Sequence, residues 1–155
     1  MFYSTYTTGF GNIAIATDGK AITSVKLETH CNLQSEKTPH PLLDQAASQL
    51  REFFAGTRQQ FDLPLNPAGT AFQKSVWNAL LTIPYGETRS YAQMAQFLEK
   101  PTASRAVGSA NGKNPIWFII PCHRVIAASG ALSGYAGGIE IKQRLLELEG
   151  RVPLG

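Results

Sequence analysis

Residues 116–126, Ile-Trp-Phe-Ile-Ile-Pro-Cys-His-Arg-Val-Ile, combine a hydrophobic run with a group of reactive side chains. The apolar first half predicts a buried strand that runs into a proline. Cys122, His123 and Arg124 follow in succession. A thiol is a useful nucleophile only as thiolate, and neighbouring positive charge or a base lowers its pKa below the usual value of about 8.5. The stretch therefore predicts a nucleophilic cysteine activated by His123 and Arg124.

The Cys122–His123 pair, and Glu149 in the last predicted helix (about 139–150), each have two possible interpretations. Adjacent side chains of a strand point to opposite faces, so proton transfer from Cys122 to His123 would require a bend or an intervening water. An inert core cysteine is the other interpretation. Glu149 lies in the final helical turn, where it opposes the helix dipole. A hydrogen bond from His123 would offset that cost, whereas a solvated surface carboxylate is the alternative.

Three short helices are predicted upstream of the cysteine. Thr70 and Gln73 have the spacing of a capping box at the start of the first helix, and Ser90 and Gln93 have it at the start of the second. The third helix is predicted for 103–110. The second and third helices, joined by a short turn, have the helix-turn-helix layout.

The third helix consists mostly of small residues and carries Arg105. Thr102 or Ser104 is expected to cap it, and Asn111-Gly112 is expected to end it. A helix with so little bulk can approach another surface closely. Tight packing in the core is the alternative explanation, so the helix-turn-helix pattern needs independent support.

A smaller lobe precedes these helices. Strand patterns flank a turn signal at Asp18-Gly19, and apolar residues recur at helical spacing from 42 to 54. The Pro- and Gly-rich segment 63–69 indicates a linker, which divides the chain into an N-terminal lobe, 1–66, and a C-terminal lobe, 67–155. The first lobe contains no motif for chemistry, and a structural scaffold is its expected role.

Composition and charge narrow the classes of function. With 43% hydrophobic and 16% charged residues, the sequence is typical of a globular protein. Residues 67–155 contain nine basic and five acidic side chains, which favours a polyanionic partner for this lobe. Two cysteines, no signal-peptide pattern and no long apolar run predict a cytoplasmic location without membrane contact. No set of ligands with metal-binding spacing and no phosphate loop is found, so we expect no metal.

The order and spacing of several motifs between about Phe72 and Gly150 resemble the O6-alkylguanine-DNA alkyltransferase family. The resemblance implies an α+β fold, with a small sheet-plus-helix lobe of ribonuclease H-like type and a mainly helical lobe containing the helix-turn-helix. The motifs are Arg105-Ala-Val-Gly108, Asn114-Pro115, Pro121-Cys-His-Arg-Val125, Gly134-Tyr-Ala-Gly-Gly138 and Leu148-Glu-Gly150.

The same resemblance implies repair of double-stranded DNA that carries O6-alkylguanine, and it leaves activity on O4-alkylthymine open. The helix-turn-helix would dock in the minor groove, and Arg105 would fill the gap left by the flipped-out nucleotide. Flipping is required because a buried thiol cannot otherwise reach the O6 group. The implied DNA-binding residues are Ser90, Ala103, Arg105, Ala106, Gly108 and Arg124.

In the implied reaction, Cys122 attacks the alkyl carbon once and irreversibly. His123 draws the thiol proton through a water, and Glu149 holds His123. Tyr91 would donate a hydrogen bond to guanine N3, and Asn114 would act as the hinge between the DNA-binding helix and the nucleophile. No cofactor is needed, and a monomer is expected. The implied substrate pocket contains Trp117, Val125, Tyr135, Ala136 and Gly137.

Three other functions are compatible with parts of this sequence pattern. A non-enzymatic damage sensor would bind alkylated bases, but such relatives replace the cysteine. A helix-turn-helix transcription factor would need side chains that read bases, of which the third helix has few. A cysteine hydrolase would need an oxyanion site and an acyl pocket, for which the sequence has no dedicated feature.

Overall fold

The computed structural model describes residues 1–30, 37–127, 129, 135 and 137–150. The chain divides into two compact units. The first contains Met1–Ala68 and the short segment Pro115–Ile119, and the second contains Gly69–Asn114 and Ile120–Gly155. The predicted boundary between residues 66 and 67 therefore lies close to the observed one between residues 68 and 69. That residues 115–119 belong to the first unit was not predicted.

The first unit is built on a three-stranded antiparallel sheet in the order β1-β2-β3. The strands are β1 (Phe2–Thr8), β2 (Gly11–Thr17) and β3 (Ile22–Leu27). Tight connections join them, and Gly19, with φ of 95°, supplies the left-handed conformation in the second. The sequence patterns indicated β2 and β3, whereas β1 was missed.

Helix α1 (Pro41–Phe54) packs on this sheet. Its N-terminus has a proline at the first helical position, and the side chain of His40 accepts a hydrogen bond from the Leu42 amide. Its apolar face is fully buried, and Leu43, Leu50 and Phe53 are 0% exposed. The helix predicted from apolar spacing is thus present with nearly the expected bounds.

Segment 115–119 joins the first unit because its backbone pairs with β3. The Val25 amide donates to the Pro115 carbonyl, and the Trp117 amide donates to the Val25 carbonyl, both at 2.9 Å. The strand predicted for Ile116–Ile120 is wrong, however. Only Ile116 forms a bridge, and the following residues turn, with Phe118 at φ 71°. A buried apolar run is compatible with either conformation, and its hydrophobicity alone could not distinguish them.

The second unit is mainly helical. Its helices are α2 (Ala71–Leu80), α3 (Tyr91–Phe97), α4 (Ser104–Gly112) and α5 (Ile139–Leu148). The unit also contains two short parallel strands, β4 (Arg89–Ser90) and β5 (Val125–Ile126), and a 3-10 turn, Cys122–Arg124. With the sheet of the first unit, this confirms the α+β fold class.

The predicted helix starts are confirmed at α2 and α3 but not at α4. Both capping boxes are present, with reciprocal bonds between Thr70 and Gln73 and between Ser90 and Gln93. Helix α4 instead has Ala103 at its N-cap and no side-chain cap, so the predicted caps are wrong. It ends at Gly112, two residues beyond the prediction. Within the described residues, no helix has the length and apolar character needed to cross a membrane.

Candidate active site

Cys122 lies at the start of a 3-10 turn, Cys122–Arg124, which we call the nucleophile turn. Two carboxamides from the end of α4 and the residues after it hold the main chain here. The side chain of Asn114 donates to the Ile120 carbonyl at 2.9 Å, and that of Asn111 donates to the Cys122 carbonyl at 3.4 Å. This turn is a bend in the chain between Cys122 and His123, which an extended strand would not have provided.

A buried carboxylate connects the next two side chains of the turn. His123 Nε2 lies 2.7 Å from Glu149 Oε2, and Arg124 donates to Oε1 and Oε2 at 2.8 and 3.0 Å. Glu149 is the C-cap of α5, and it also accepts a 3.2 Å bond from the Gly86 amide. The predicted His123–Glu149 pair is therefore present, and the surface interpretation of Glu149 is wrong.

The protonation states follow from these contacts. Burial alone would raise the pKa of Glu149, but hydrogen bonds from His123 and Arg124, with their charges, lower it to about 2. An ionised carboxylate only accepts, so His123 Nε2 carries the hydrogen and Nδ1 is the basic nitrogen. Burial lowers the pKa of His123, partly opposed by Glu149, which keeps the ring neutral. A neutral imidazole is the form that can take a proton.

Arg124 is almost completely buried, and its predicted contact with DNA stays a prediction. The residue is 7% exposed, and besides its two bonds to Glu149 it donates to the Ile83 carbonyl at 2.7 Å. Three of its N–H groups go to these buried acceptors, so Arg124 holds Glu149 in place.

The thiol of Cys122 does not have the lowered pKa that the sequence suggested. Burial raises the pKa of Cys122 to about 11, although a hydrogen bond with Asn114 and the charge of Lys142 act in the opposite direction. The side chain is 2% exposed. The resting protein therefore holds a protonated thiol at neutral pH, and the thiolate must be generated during the reaction.

Lys142 is the residue of this site that sequence reasoning missed. It is 0% exposed, and its ammonium donates to the Val125 carbonyl at 2.6 Å. Burial lowers its pKa to about 8, against an opposing effect of Cys122. A signal was present, because Lys142, Leu145 and Glu149 share one face of α5 by helical spacing. That face is buried, so a lysine within it required a partner.

The predicted pocket residues are placed only in part. Val125 is buried in β5, Tyr135 is 8% exposed, and Gly137 is half-buried. Burial, with an added effect of Cys122, raises the pKa of Tyr135 well above its usual value. Ala136 lies outside the described residues, as does Gly134. Trp117 belongs to the first unit, where its ring packs edge-on against His30, and its place in a pocket stays a prediction.

The predicted DNA-binding residues other than Arg124 lie on α4 or at the N-caps of α3 and α4. Arg105 and Ala106 are exposed, and Ala103 is half-buried. Gly108 lies beside the ring of Tyr91, since a Cβ built at this glycine would be 3.6 Å from that ring. The hydroxyl of Ser90 accepts from the Gln93 amide and caps α3. Arg105 is therefore placed to contact a partner.

The described residues contain no group of three or more His, Cys, Asp or Glu side chains arranged to hold a metal ion. The site is instead one buried thiol, a neutral histidine oriented by a carboxylate, and a buried ammonium. Nucleophile, base and orienting group are the components of a nucleophilic group-transfer enzyme.

Comparisons with known proteins identify the family. The family model for the 6-O-methylguanine DNA methyltransferase DNA-binding domain matches residues 71–151. That for the ribonuclease-like domain of the same family matches residues 1–67. The chain belongs to the 6-O-methylguanine DNA methyltransferase family.

Individual relatives and structures agree with this assignment. The methylated-DNA--protein-cysteine methyltransferase of Mycobacterium bovis is 49% identical over 152 residues, which cover 96% of this chain and 92% of the relative. That of Methanosarcina acetivorans is 46% identical over 158 residues, with 97% and 99% covered. The crystal structure of Mycobacterium tuberculosis OGT in complex with DNA is 48% identical, with a TM-score of 0.89 and 99% and 96% of the two chains covered.

Proposed function

We propose that this chain repairs DNA by transferring the alkyl group of O6-alkylguanine to the Sγ atom of Cys122, in a single irreversible step. The observation that carries the proposal is the buried Cys122 in one turn with His123, whose ring is held by Glu149 at 2.7 Å. Family membership fixes the broader class, which is direct-reversal repair by a cysteine methyltransferase.

The proton and electron balance of the step uses residues of the second unit. The thiol proton passes through a water to Nδ1 of His123, since Nε2 already donates to Glu149. The thiolate attacks the alkyl carbon, the S–C bond forms and the C–O6 bond breaks. The electron pair of that bond goes to guanine, and Tyr91 supplies a hydrogen bond at N3. The guanine anion, stabilised by Tyr91, then takes up a proton at N1 from solvent, while His123 releases the thiol proton to solvent. The products are restored guanine and a thioether on Cys122.

The thioether explains why one molecule repairs one lesion. A carbon–sulfur bond of this kind has no good leaving group, so hydrolysis does not restore the thiol. The protein is consumed, and no cofactor enters the balance. Because the step requires a reduced thiol, a reducing compartment such as the cytoplasm is the proposed location.

DNA is the macromolecular partner, and the finer geometry is part of the proposal. Helix α4 would enter the minor groove, with exposed Arg105 occupying the space of the extruded nucleotide. The small exposed side chain of Ala106 permits close approach. We further propose that a single copy of the chain binds the lesion.

Mass spectrometry of the whole protein and its peptides tests the proposal directly. The chain is mixed with duplex DNA containing one O6-methylguanine, and the expected result is one added methyl group on the Cys122 peptide with guanine restored. Cys31→Ala should react like wild type, and Cys122→Ala should bind the lesion without transfer.

The other outcomes each point to a different protein. Tight binding of the lesion by an unmodified chain would indicate a damage sensor. Absence of both modification and lesion preference would leave a helix-turn-helix regulator. Methyl transfer by Cys122→Ala would exclude Cys122 as the acceptor.

A further inference from the structure

Helix α5 carries two buried charges, each near the end of the helix where its sign is disfavoured. Lys142 is the fourth residue, in the N-terminal turn, and Glu149 is the C-cap. The helix dipole favours anions at the N-terminus and cations at the C-terminus. Removal from water disfavours both charges further, yet Lys142 is 0% and Glu149 5% exposed. Charges in such positions require compensating partners.

Both partners lie on the nucleophile turn or directly after it. Glu149 is compensated by His123 and Arg124. Lys142 donates to the carbonyl of Val125, and the Val125 amide donates in turn to the Cys122 carbonyl. Residues near both ends of α5 therefore hold the nucleophile turn and the residue after it.

We propose that Lys142 is a positioning residue for alkyl transfer, whose buried ammonium anchors the Val125 carbonyl and supplies the counter-charge for the Cys122 thiolate. The inference rests on the proposed function and deepens it. Burial raises the pKa of Cys122 to about 11, so thiolate formation inside the protein needs a nearby cation. Lys142 acts through Cys122 and need not touch the alkyl group.

The charged neighbours of Lys142 are consistent with this role. On the nucleophile turn, the Lys142 charge favours the ionised form of Cys122 and the neutral form of His123. The first effect favours ionisation of the thiol, whereas the second opposes proton uptake by His123 and is offset there by the hydrogen bond and charge of Glu149. Arg124 is already compensated by Glu149, and buried Tyr135, four residues before the start of α5, interacts electrostatically with Cys122.

The test measures how much of the Cys122 thiol is ionised, and it uses no DNA. In a Cys31→Ala background, the rate at which iodoacetamide modifies the Cys122 peptide reports the thiolate fraction. Lys142→Gln keeps a hydrogen-bond donor for Val125 but removes the charge. Arg144→Gln removes the same charge from an exposed position of α5 and is the matched control.

At pH 7.5 we expect Lys142→Gln to react roughly tenfold more slowly than Arg144→Gln, which corresponds to a thiol pKa about one unit higher. Circular dichroism first establishes that both variants are folded. Equal rates in folded variants would overturn the proposal, because a purely structural lysine would not change thiol ionisation. Since no lesion is present, this result is independent of whether the chain transfers alkyl groups from DNA.

A second measurement needs no substitution at Lys142. Burial lowers the pKa of Lys142 to about 8, so the counter-charge is lost as the pH rises through that value. As long as the pH is below the pKa of an isolated thiol, its rate of modification rises tenfold for each unit by which the pH increases. Between pH 8 and 10 the protein with intact Lys142 should show a shallower rise. A full tenfold rise per unit would contradict the proposal even if Lys142→Gln does not fold.

Discussion

At the scale of single residues, one carboxylate determines the state of the whole site. Glu149 accepts from His123 at 2.7 Å and from Arg124 at 2.8 Å, and all three side chains are nearly inaccessible. Its ionised form holds the imidazole hydrogen on Nε2, and thereby makes Nδ1 the proton acceptor. The same contacts make Glu149 a determinant of stability, because its pKa is about 2 in the folded chain.

The first prediction concerns acid stability. A carboxyl whose folded pKa is depressed stabilises the native state above its unfolded pKa of about 4.5, and this contribution is lost as the pH falls towards 2. The shift corresponds to about 3 kcal/mol of unfolding free energy. Urea unfolding at pH 5 and pH 2.5 should show this loss in wild type.

Glu149→Gln should be less stable than wild type at pH 5 and should lack most of that pH dependence. Its stability at pH 5 falls because Arg124 is left buried beside a neutral amide. The matched control is Glu147→Gln, which changes an exposed carboxyl of the same helix and should titrate like wild type. Parallel pH dependence in the two variants would show that Glu149 is not the titrating group.

The second prediction concerns the rate of alkyl transfer in mild acid. Burial lowers the pKa of His123, and the charges of Arg124 and Lys142 lower it further, so the ring stays neutral below the usual value of 6.5. The single-turnover rate with saturating duplex should therefore be nearly the same at pH 6.5 as at pH 7.5, and fall only at lower pH. A half-maximal rate at pH 6.5 or above would contradict the proposed base.

At the scale of elements, α4 connects the predicted DNA contact with the nucleophile. Its N-terminal half carries exposed Arg105, and Asn111 in its last turn donates to the Cys122 carbonyl. Asn114, two residues past the helix, holds the Ile120 carbonyl. The Trp77 indole of α2 donates to the Ala110 carbonyl at 2.9 Å and fixes the C-terminal end of α4. A helix anchored in this way presents Arg105 from a rigid base.

The third prediction separates base flipping from chemistry. Arg105→Ala should slow repair of O6-alkylguanine in duplex at least tenfold, because the gap in the base stack is left unfilled. The same variant should react with free O6-benzylguanine at the wild-type rate. Lys113→Ala, which removes an exposed cation just after α4, should weaken duplex binding without a large change in the transfer step. Equal slowing of Arg105→Ala with both substrates would argue against a flipping role.

At the scale of the whole molecule, local patterns predicted the elements, and long-range contacts decided the site. The Thr70 and Ser90 capping boxes involve residues three apart, so the sequence contained all the information needed. The Phe118 turn and the burial of Arg124 depend on partners far along the chain. Lys142 pairs with a carbonyl 17 residues away, and Arg124 with a carboxylate 25 residues away. The roles of Glu149 and Asn114 were predicted from the family resemblance, because their positions in the sequence alone did not determine what they contact.

The last prediction follows from the burial of the acceptor atom. Cys122 is 2% exposed and lies among Ile120, Asn114 and the nucleophile turn, so an added alkyl group must displace packed neighbours. Overpacking of a core costs about 1–3 kcal/mol and grows with the volume inserted. The methylated chain should therefore unfold at lower urea concentration than the unmodified chain, and the benzylated chain at a lower concentration still. Cys122→Ala exposed to the same reagents is the control for modification elsewhere. Unchanged midpoints for both adducts would mean that the site has room for the product, and the repaired chain would then persist in its native fold.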